Sequence, residues 1–186
     1  MSAYDKILRL TNTLIQQNGF LGFSYADLEK EIGIREGTIR HHFQKKTDLG
    51  LAYCDYKTWV IGQLDSILSD IPPGLQRIKA YLDAFAGYAE RGETCGVYAM
   101  LVDSHQFPPE LQKSVSRLAQ AEIQLLKDVL ASGQKIGELR SDLSPDELAI
   151  IVCSALKGAL LLNRCAPYDA YSETVDALMV MLDART

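Results

Sequence analysis

Apolar residues in this chain recur at three- and four-residue intervals and nowhere alternate over the length of a strand. An all-α fold of about nine helices is therefore predicted. Ile7, Leu8, Leu14 and Ile15 mark one face of a first helix, which Asn18-Gly19 ends. Ser24 and Asp27 have the spacing of a capping box and open a short helix with Leu28 and Ile32 inward. Gly33 then permits a tight turn, and Ile39 and Phe43 give the buried side of a third helix. A long fourth helix is expected over about 46–70, stopped by Pro72-Pro73-Gly74. Further helices are expected near 75–91, 95–104, 108–134, 145–165 and 169–184, separated by Gly92, Pro108-Pro109, Gly137 and Pro167. Ser144-Pro145-Asp146-Glu147 combines an N-cap serine, a proline at the first position and a glutamate reaching back.

Charge refines this picture through its placement. The 186 residues carry a net charge of −5, which argues against a general nucleic-acid-coating role. Residues 1–50 nevertheless hold seven Lys/Arg against six Asp/Glu, and within 35–46 Arg35, Arg40, Lys45 and Lys46 face only Glu36. A short basic patch on an acidic chain suits local phosphate contact rather than DNA wrapping. Asp5, Lys6 and Arg9 interrupt the amino terminus, so no signal peptide is expected there. The longest apolar run, 148–162, is cut by Lys157 and is too short to span a bilayer. Cys54, Cys95, Cys153 and Cys165 lack disulfide or zinc spacing and suit reduced cytoplasmic thiols.

Residues 24–43 have the grammar of a helix-turn-helix. Two short helices crossing steeply need a small core, supplied by Leu28, Ile32, Ile39 and Phe43, with Gly33 at the turn. The second helix then presents Arg35, Glu36, Thr38, Arg40, His41 and His42, groups that bond base edges and phosphates. A polar second helix is also what a merely solvated face looks like.

The series Gly19-Phe20, Ser24-Tyr25-Ala26-Asp27-Leu28, Gly33-Ile34, Gly37-Thr38-Ile39-Arg40-His41-His42-Phe43, Lys46 and Leu49 resembles the amino-terminal signature of TetR-family regulators. The resemblance covers roughly 45 residues in order and spacing. It implies a helix-turn-helix head over 1–46 and a ligand-binding, dimerising body over 47–186. By position it sends residues 35–42, Gly37 included, into the major groove. Ser24 and Tyr25 would touch the sugar-phosphate backbone, and Lys46 would bind a phosphate aided by the fourth helix's dipole. Two residues depart from the family pattern: Arg40 stands where a tyrosine is usual, and Glu29 where a small alanine is usual. The first bears on base preference, the second on the angles between the first three helices.

The resemblance further implies pairing of two subunits through the last two helices, about 145–184. Residues 148–162 are apolar almost all round, which suits either that homodimer or a fully enclosed central helix. Trp59, Phe85, Tyr88, Tyr98, His105 and Phe107 are candidates for lining an inducer pocket, though aromatics at helical spacing commonly form core. Glu122 falls on the stripe Leu111, Val115, Leu118, Leu125, Val129, and an inward carboxylate needs a partner. That partner is an arginine such as Arg91 or a cationic or hydrogen-bonding ligand; alternatively the stripe is rotated towards Ile123 and Leu126. Cys95 precedes a helix start, where a thiol pKa can fall, and its surroundings resemble a family branch that responds to reactive electrophiles. The competing role is a small buried hydrophobe.

The function expected is a sequence-specific regulator, a repressor released from operator DNA by a small molecule or electrophile. No nucleophile–base pair, metal cluster or phosphate loop calls for catalysis, metal or cofactor. The rival classes are a thiol-dependent helical enzyme built on Cys95 and a helical interaction protein lacking DNA binding.

Overall fold

A computed structural model describes residues 2–165 and 169–185. Pro167, expected to break the last two helices apart, lies outside the described residues. Ten α-helices run in order among the described residues: α1 (Ala3–Asn18), α2 (Tyr25–Ile32), α3 (Glu36–His42), α4 (Lys46–Ser69), α5 (Leu75–Asp83), α6 (Ala86–Glu90), α7 (Gly96–Asp103), α8 (Pro109–Lys135), α9 (Pro145–Leu162) and α10 (Ala170–Leu182). A short 3₁₀ turn, Ser104–Gln106, precedes α8. Among those residues the β contribution is one isolated bridge between Leu139 and Asp183. The all-α expectation holds. Its one internal difference is that the segment 75–91 is broken, with Ala84 and Phe85 turning the chain between α5 and α6.

Local sequence explains the helix boundaries. Ser24 accepts from the Asp27 amide and Asp27 reaches back to Ser24, completing the expected capping box of α2. Ser144 and Glu147 do the same for α9, with Pro145 at its first turn. Ser2 and Asp5 form a third such box at the start of α1. Hydrogen bonds from Ser2 hold the Asp5 carboxyl below its usual pKa, and Ser24 does the same for Asp27. Gly33 ends α2 at φ 67°, a left-handed conformation that a side chain would oppose.

The chain forms two compact units. The first comprises residues 1–59 and 96–119, the second 60–95 and 120–186. In the first unit Ile7 and Ile15 of α1, Leu28 of α2, Ile39 of α3, Leu49 and Tyr53 of α4, Met100 of α7 and Leu111 of α8 are buried. In the second, Ile78, Tyr81 and Leu82 of α5 are buried, as are Leu126 and Leu130 of α8, Leu148, Val152, Leu156 and Leu160 of α9, and Leu178 and Leu182 of α10. Each fully buried Leu or Ile contributes roughly 1.5–3 kcal/mol of transfer free energy. Helices α9 and α10 pack on one another, yet Ile150, Ile151, Leu161 and Leu162 of α9 and Val180 of α10 stay exposed. The apolar run is thus not wholly enclosed by this chain. No helix among the described residues is long and apolar enough to cross a membrane.

Candidate nucleic-acid interface

The face that α3 offers follows from one anchor. Ile39 is completely buried, which turns Arg35, Gly37, Thr38, Arg40, His41 and His42 outward. The helix is only seven residues long, and its N-cap position, Arg35, makes no side-chain cap hydrogen bond. The missing cap comes from elsewhere: the Glu36 amide donates to Glu29 Oε2 at 2.9 Å. The carboxylate that departs from the family pattern therefore lies at the surface and satisfies an orphan donor at the start of α3. It leaves the small core beneath α2 and α3 unburdened.

Arg40 is held in place by its own neighbours. Its guanidinium lies 2.6 Å from Glu36 Oε1 one turn earlier and 5.1 Å above the Tyr25 ring. An exposed i,i+4 pair of this kind is worth under about 1 kcal/mol, so Glu36 orients Arg40 without locking it. His41 and His42 stand edge to face at 5.6 Å, and Tyr4 of α1 packs against both His42 and Phe43.

Five of the expected DNA-contacting residues converge. Ser24, Tyr25, Glu36, Arg40 and Lys46 line one open pocket of about 280 Å³, together with Phe23 and Ala26. Their states differ, however. Ser24 Oγ is engaged in the α2 capping box. Tyr25 is buried and its hydroxyl donates to the Phe43 carbonyl at 2.9 Å, so its phenol fastens α2 to the end of α3. Burial, and secondarily the charge of Asp48, pushes this phenol up to about 12. Lys46 is half-buried over the rings of Phe20 and Phe23, 5.0 and 4.3 Å away, and donates to the Phe23 carbonyl. Burial lowers its pKa, against the opposing pull of Asp103 and Asp27.

The candidate ligand residues do not form one group. Trp59, Tyr98, His105 and Phe107 belong to the first unit, whereas Phe85, Tyr88, Cys95 and Glu122 belong to the second. Trp59 is 61% exposed on α4, stacked on Tyr56. His105 is exposed in the 3₁₀ turn. Phe107 is core, edge to face with Phe20 at 5.3 Å.

Within the second unit the polar residues do assemble. Glu122 is buried, and its carboxylate lies 2.5 Å from Lys157 Nζ, also buried. Lys157 sits 3.3 Å from the centroid of the Phe85 ring, which Tyr81 and Tyr88 flank. Cys95 Sγ is 3.9 Å from Glu122, and Tyr81 Oη is 3.9 Å from Cys153 Sγ. Burial works against the Lys157 ammonium, but the acidic Cys95 and Glu122 around it outweigh that cost and raise its pKa. Burial drives the Tyr81 phenol well above its ordinary range. Arg91, the partner expected for Glu122, pairs with Glu93 at 2.8 Å instead. Lys157 is the residue that sequence reasoning missed, although its signal was present as one cation inside an otherwise apolar stretch.

The same unit carries an open cleft of about 420 Å³ between α5, α6 and α10. It is lined by Lys79, Asp83, Glu90, Asp169, Tyr171 and Asp176 among others, and by none of the expected ligand residues. No group of His, Cys, Asp or Glu among the described residues is arranged to hold a metal ion.

Comparison with known proteins extends the resemblance across the chain. Residues 7–53 match the model for bacterial regulatory proteins of the tetR family, and residues 74–178 match that for the tetracyclin repressor-like C-terminal domain. The HTH-type transcriptional repressor KstR2 of Mycolicibacterium smegmatis is 24% identical over 151 residues, covering 78% of this chain and 71% of that protein. The HTH-type transcriptional repressor DhaR of Mycobacterium sp. (strain GP1) is 22% identical over 148 residues, covering 78% and 74%. The crystal structure of a TetR transcriptional regulator from Legionella pneumophila superposes with a TM-score of 0.86 at 26% identity, over 97% of this chain and 96% of that one. With the family's regulatory-protein model over residues 7–53 and its C-terminal domain over more than half the length, the chain belongs to the TetR family of DNA-binding transcription regulators.

Proposed function

We propose that the chain is a homodimeric repressor that reads an operator through α3 and is released from it by a small molecule held in the second unit. The observation that carries the reading is the exposed row Arg35, Gly37, Thr38, Arg40, His41 and His42 around the buried Ile39. Arg40 supplies the strongest directional group, since a guanidinium bonds a guanine edge or a phosphate in bidentate fashion. Ser24 and Lys46 serve the flanking phosphates. For Lys46 this requires exchanging its hold on the Phe23 carbonyl for an anion, and Tyr25 contributes its buried ring by seating Arg40. Repression, rather than activation, is supported by the names borne by two relatives.

Dimerisation is supported by the apolar residues left exposed on α9 and α10. One recognition helix offers few base contacts, and a two-fold pair of heads doubles them. The Glu122–Lys157 pair bears on the inducer. A buried carboxylate alone would call for a cation, but here the charge is already balanced, which favours an uncharged, hydrogen-bonding ligand beside Phe85, Tyr88 and Cys95. Helix α4 carries Lys46 at one end and continues to Ser69. It is the element through which ligand occupancy would shift the population of DNA-reading states.

The test is DNA affinity measured against salt, alongside sedimentation of the protein at micromolar concentration. A dimer whose log affinity falls steeply with log salt is expected, and Lys46→Ala should lower that slope by about one while weakening all sequences alike. A monomer with salt-insensitive affinity would refute the reading.

A further inference from the structure

The chain's only tryptophan is spent on a surface. Trp59 leaves 61% of its area exposed while its ring stacks on Tyr56 at 6.3 Å between centroids and 27° between planes. These two rings do not stand alone. With Leu8, Asp5 and Arg9 of α1 they line a half-enclosed cavity of about 440 Å³ within the first unit. That volume lies in the range of small-molecule sites, and its make-up is the usual one, an apolar and aromatic floor with a few charged groups.

The charges at the rim discriminate between ligands. Asp5 is committed: its Oδ2 accepts from both the amide and the hydroxyl of Ser2. Arg9 has no carboxylate within ion-pair distance among the described residues. It also borders a second depression of about 360 Å³, shared with Lys6 and Thr13. Asp5 keeps its negative charge and lies within the field of Arg9, but its Oδ2 is taken up by Ser2, so the guanidinium of Arg9 supplies the donors that face a ligand beside the flat rings. A guanidinium fork accepts a carboxylate through two parallel hydrogen bonds, and the neighbouring indole and phenol offer their faces to a flat ring.

We propose that this cleft between α1 and α4 is a second ligand site, separate from the buried cluster of the other unit, and that it takes a planar aromatic carboxylate. The ring stacks on Trp59 and Tyr56 and the carboxylate pairs with Arg9. Helix α1 and the part of α4 up to Trp59 belong to the unit that carries α3, so occupancy acts on the DNA-reading unit itself.

The single tryptophan makes the site directly observable, because a ¹⁵N-labelled sample gives one indole N–H resonance. We would titrate the intact protein with benzoate, with the uncharged benzamide, and with cyclohexanecarboxylate, which keeps the charge but lacks the flat ring. Benzoate should move the Trp59 resonance saturably, each control should bind markedly more weakly, and Arg9→Gln should weaken benzoate about tenfold. Arg9 is exposed, so this variant should fold as the parent does. A shift that never saturates, equal binding of benzamide, or an unchanged affinity in Arg9→Gln would overturn the proposal. So would a resonance that responds to duplex DNA or to protein concentration but not to benzoate, since the surface would then serve DNA or a second copy of the chain.

Discussion

At the scale of single residues the buried Lys157, paired with Glu122, stands out. A buried ion pair is weak evidence of net stability, because desolvating both charges offsets their attraction, but removing one partner strands the other. Lys157→Met should therefore cost about 3–5 kcal/mol in unfolding free energy. The double variant Glu122→Leu/Lys157→Met should recover most of that loss. The pH dependence has a definite sign. In the parent, the raised Lys157 pKa contributes stability that is complete below the ordinary lysine value of 10.5 and is lost only as pH climbs through the higher folded value. Chemical denaturation at several pH values measures both effects, and a single variant as stable as the parent would contradict the pairing.

Arg40 belongs to the same scale. Arg40→Ala should cost about 1–3 kcal/mol of binding to a preferred site if the guanidinium meets a guanine edge. A similar loss on every sequence would place it on phosphate. Glu36→Ala, which releases Arg40 from its 2.6 Å pair, should instead raise affinity for unrelated DNA by removing a negative charge from the reading face.

At the scale of elements, much of the architecture was legible because caps and periodicity are local. Ser24 with Asp27 and Ser144 with Glu147 announced α2 and α9, and the structure draws both boxes as hydrogen bonds. What stayed hidden depended on partners distant in sequence. Nothing near Glu29 reveals that it caps α3 seven residues later, and nothing near Glu122 says that the matching cation is Lys157 rather than Arg91. The break at Ala84 and Phe85 was missed because both residues are compatible with a continuous helix. The aromatic candidates scattered for the same reason: helical spacing places a side chain on a face of its own helix, while the choice between core, surface and cavity is made by other helices. Trp59 and Phe107 illustrate the two outcomes, one exposed beside a cavity and one buried in packing. Glu29 gives the prediction at this scale. Glu29→Ala should destabilise the chain by about 0.5–2 kcal/mol, the usual worth of an N-cap. It should also weaken operator binding by fraying the first turn of α3. Hydrogen exchange at the Glu36 to Thr38 amides reads the effect, and unchanged protection there would show that α3 does not depend on this cap.

The whole molecule carries two kinds of surface. One is a small basic reading face on an acidic chain; the other is an apolar strip along α9 and α10 that this chain leaves uncovered. Each is explained by the other. On the proposed reading, few base contacts per head would make a lone subunit a poor discriminator, and a second copy covering the strip would supply the second head. The most direct test is selection of bound duplexes from a pool of random DNA sequence by the intact protein, followed by sequencing of what is retained. The account predicts enrichment of an inverted repeat whose two halves are spaced to suit a two-fold pair of recognition helices. Arg40→Ala should alter base preference at matching positions in both halves. Retention of DNA with no enriched sequence, or of a single asymmetric site indifferent to Arg40, would contradict it.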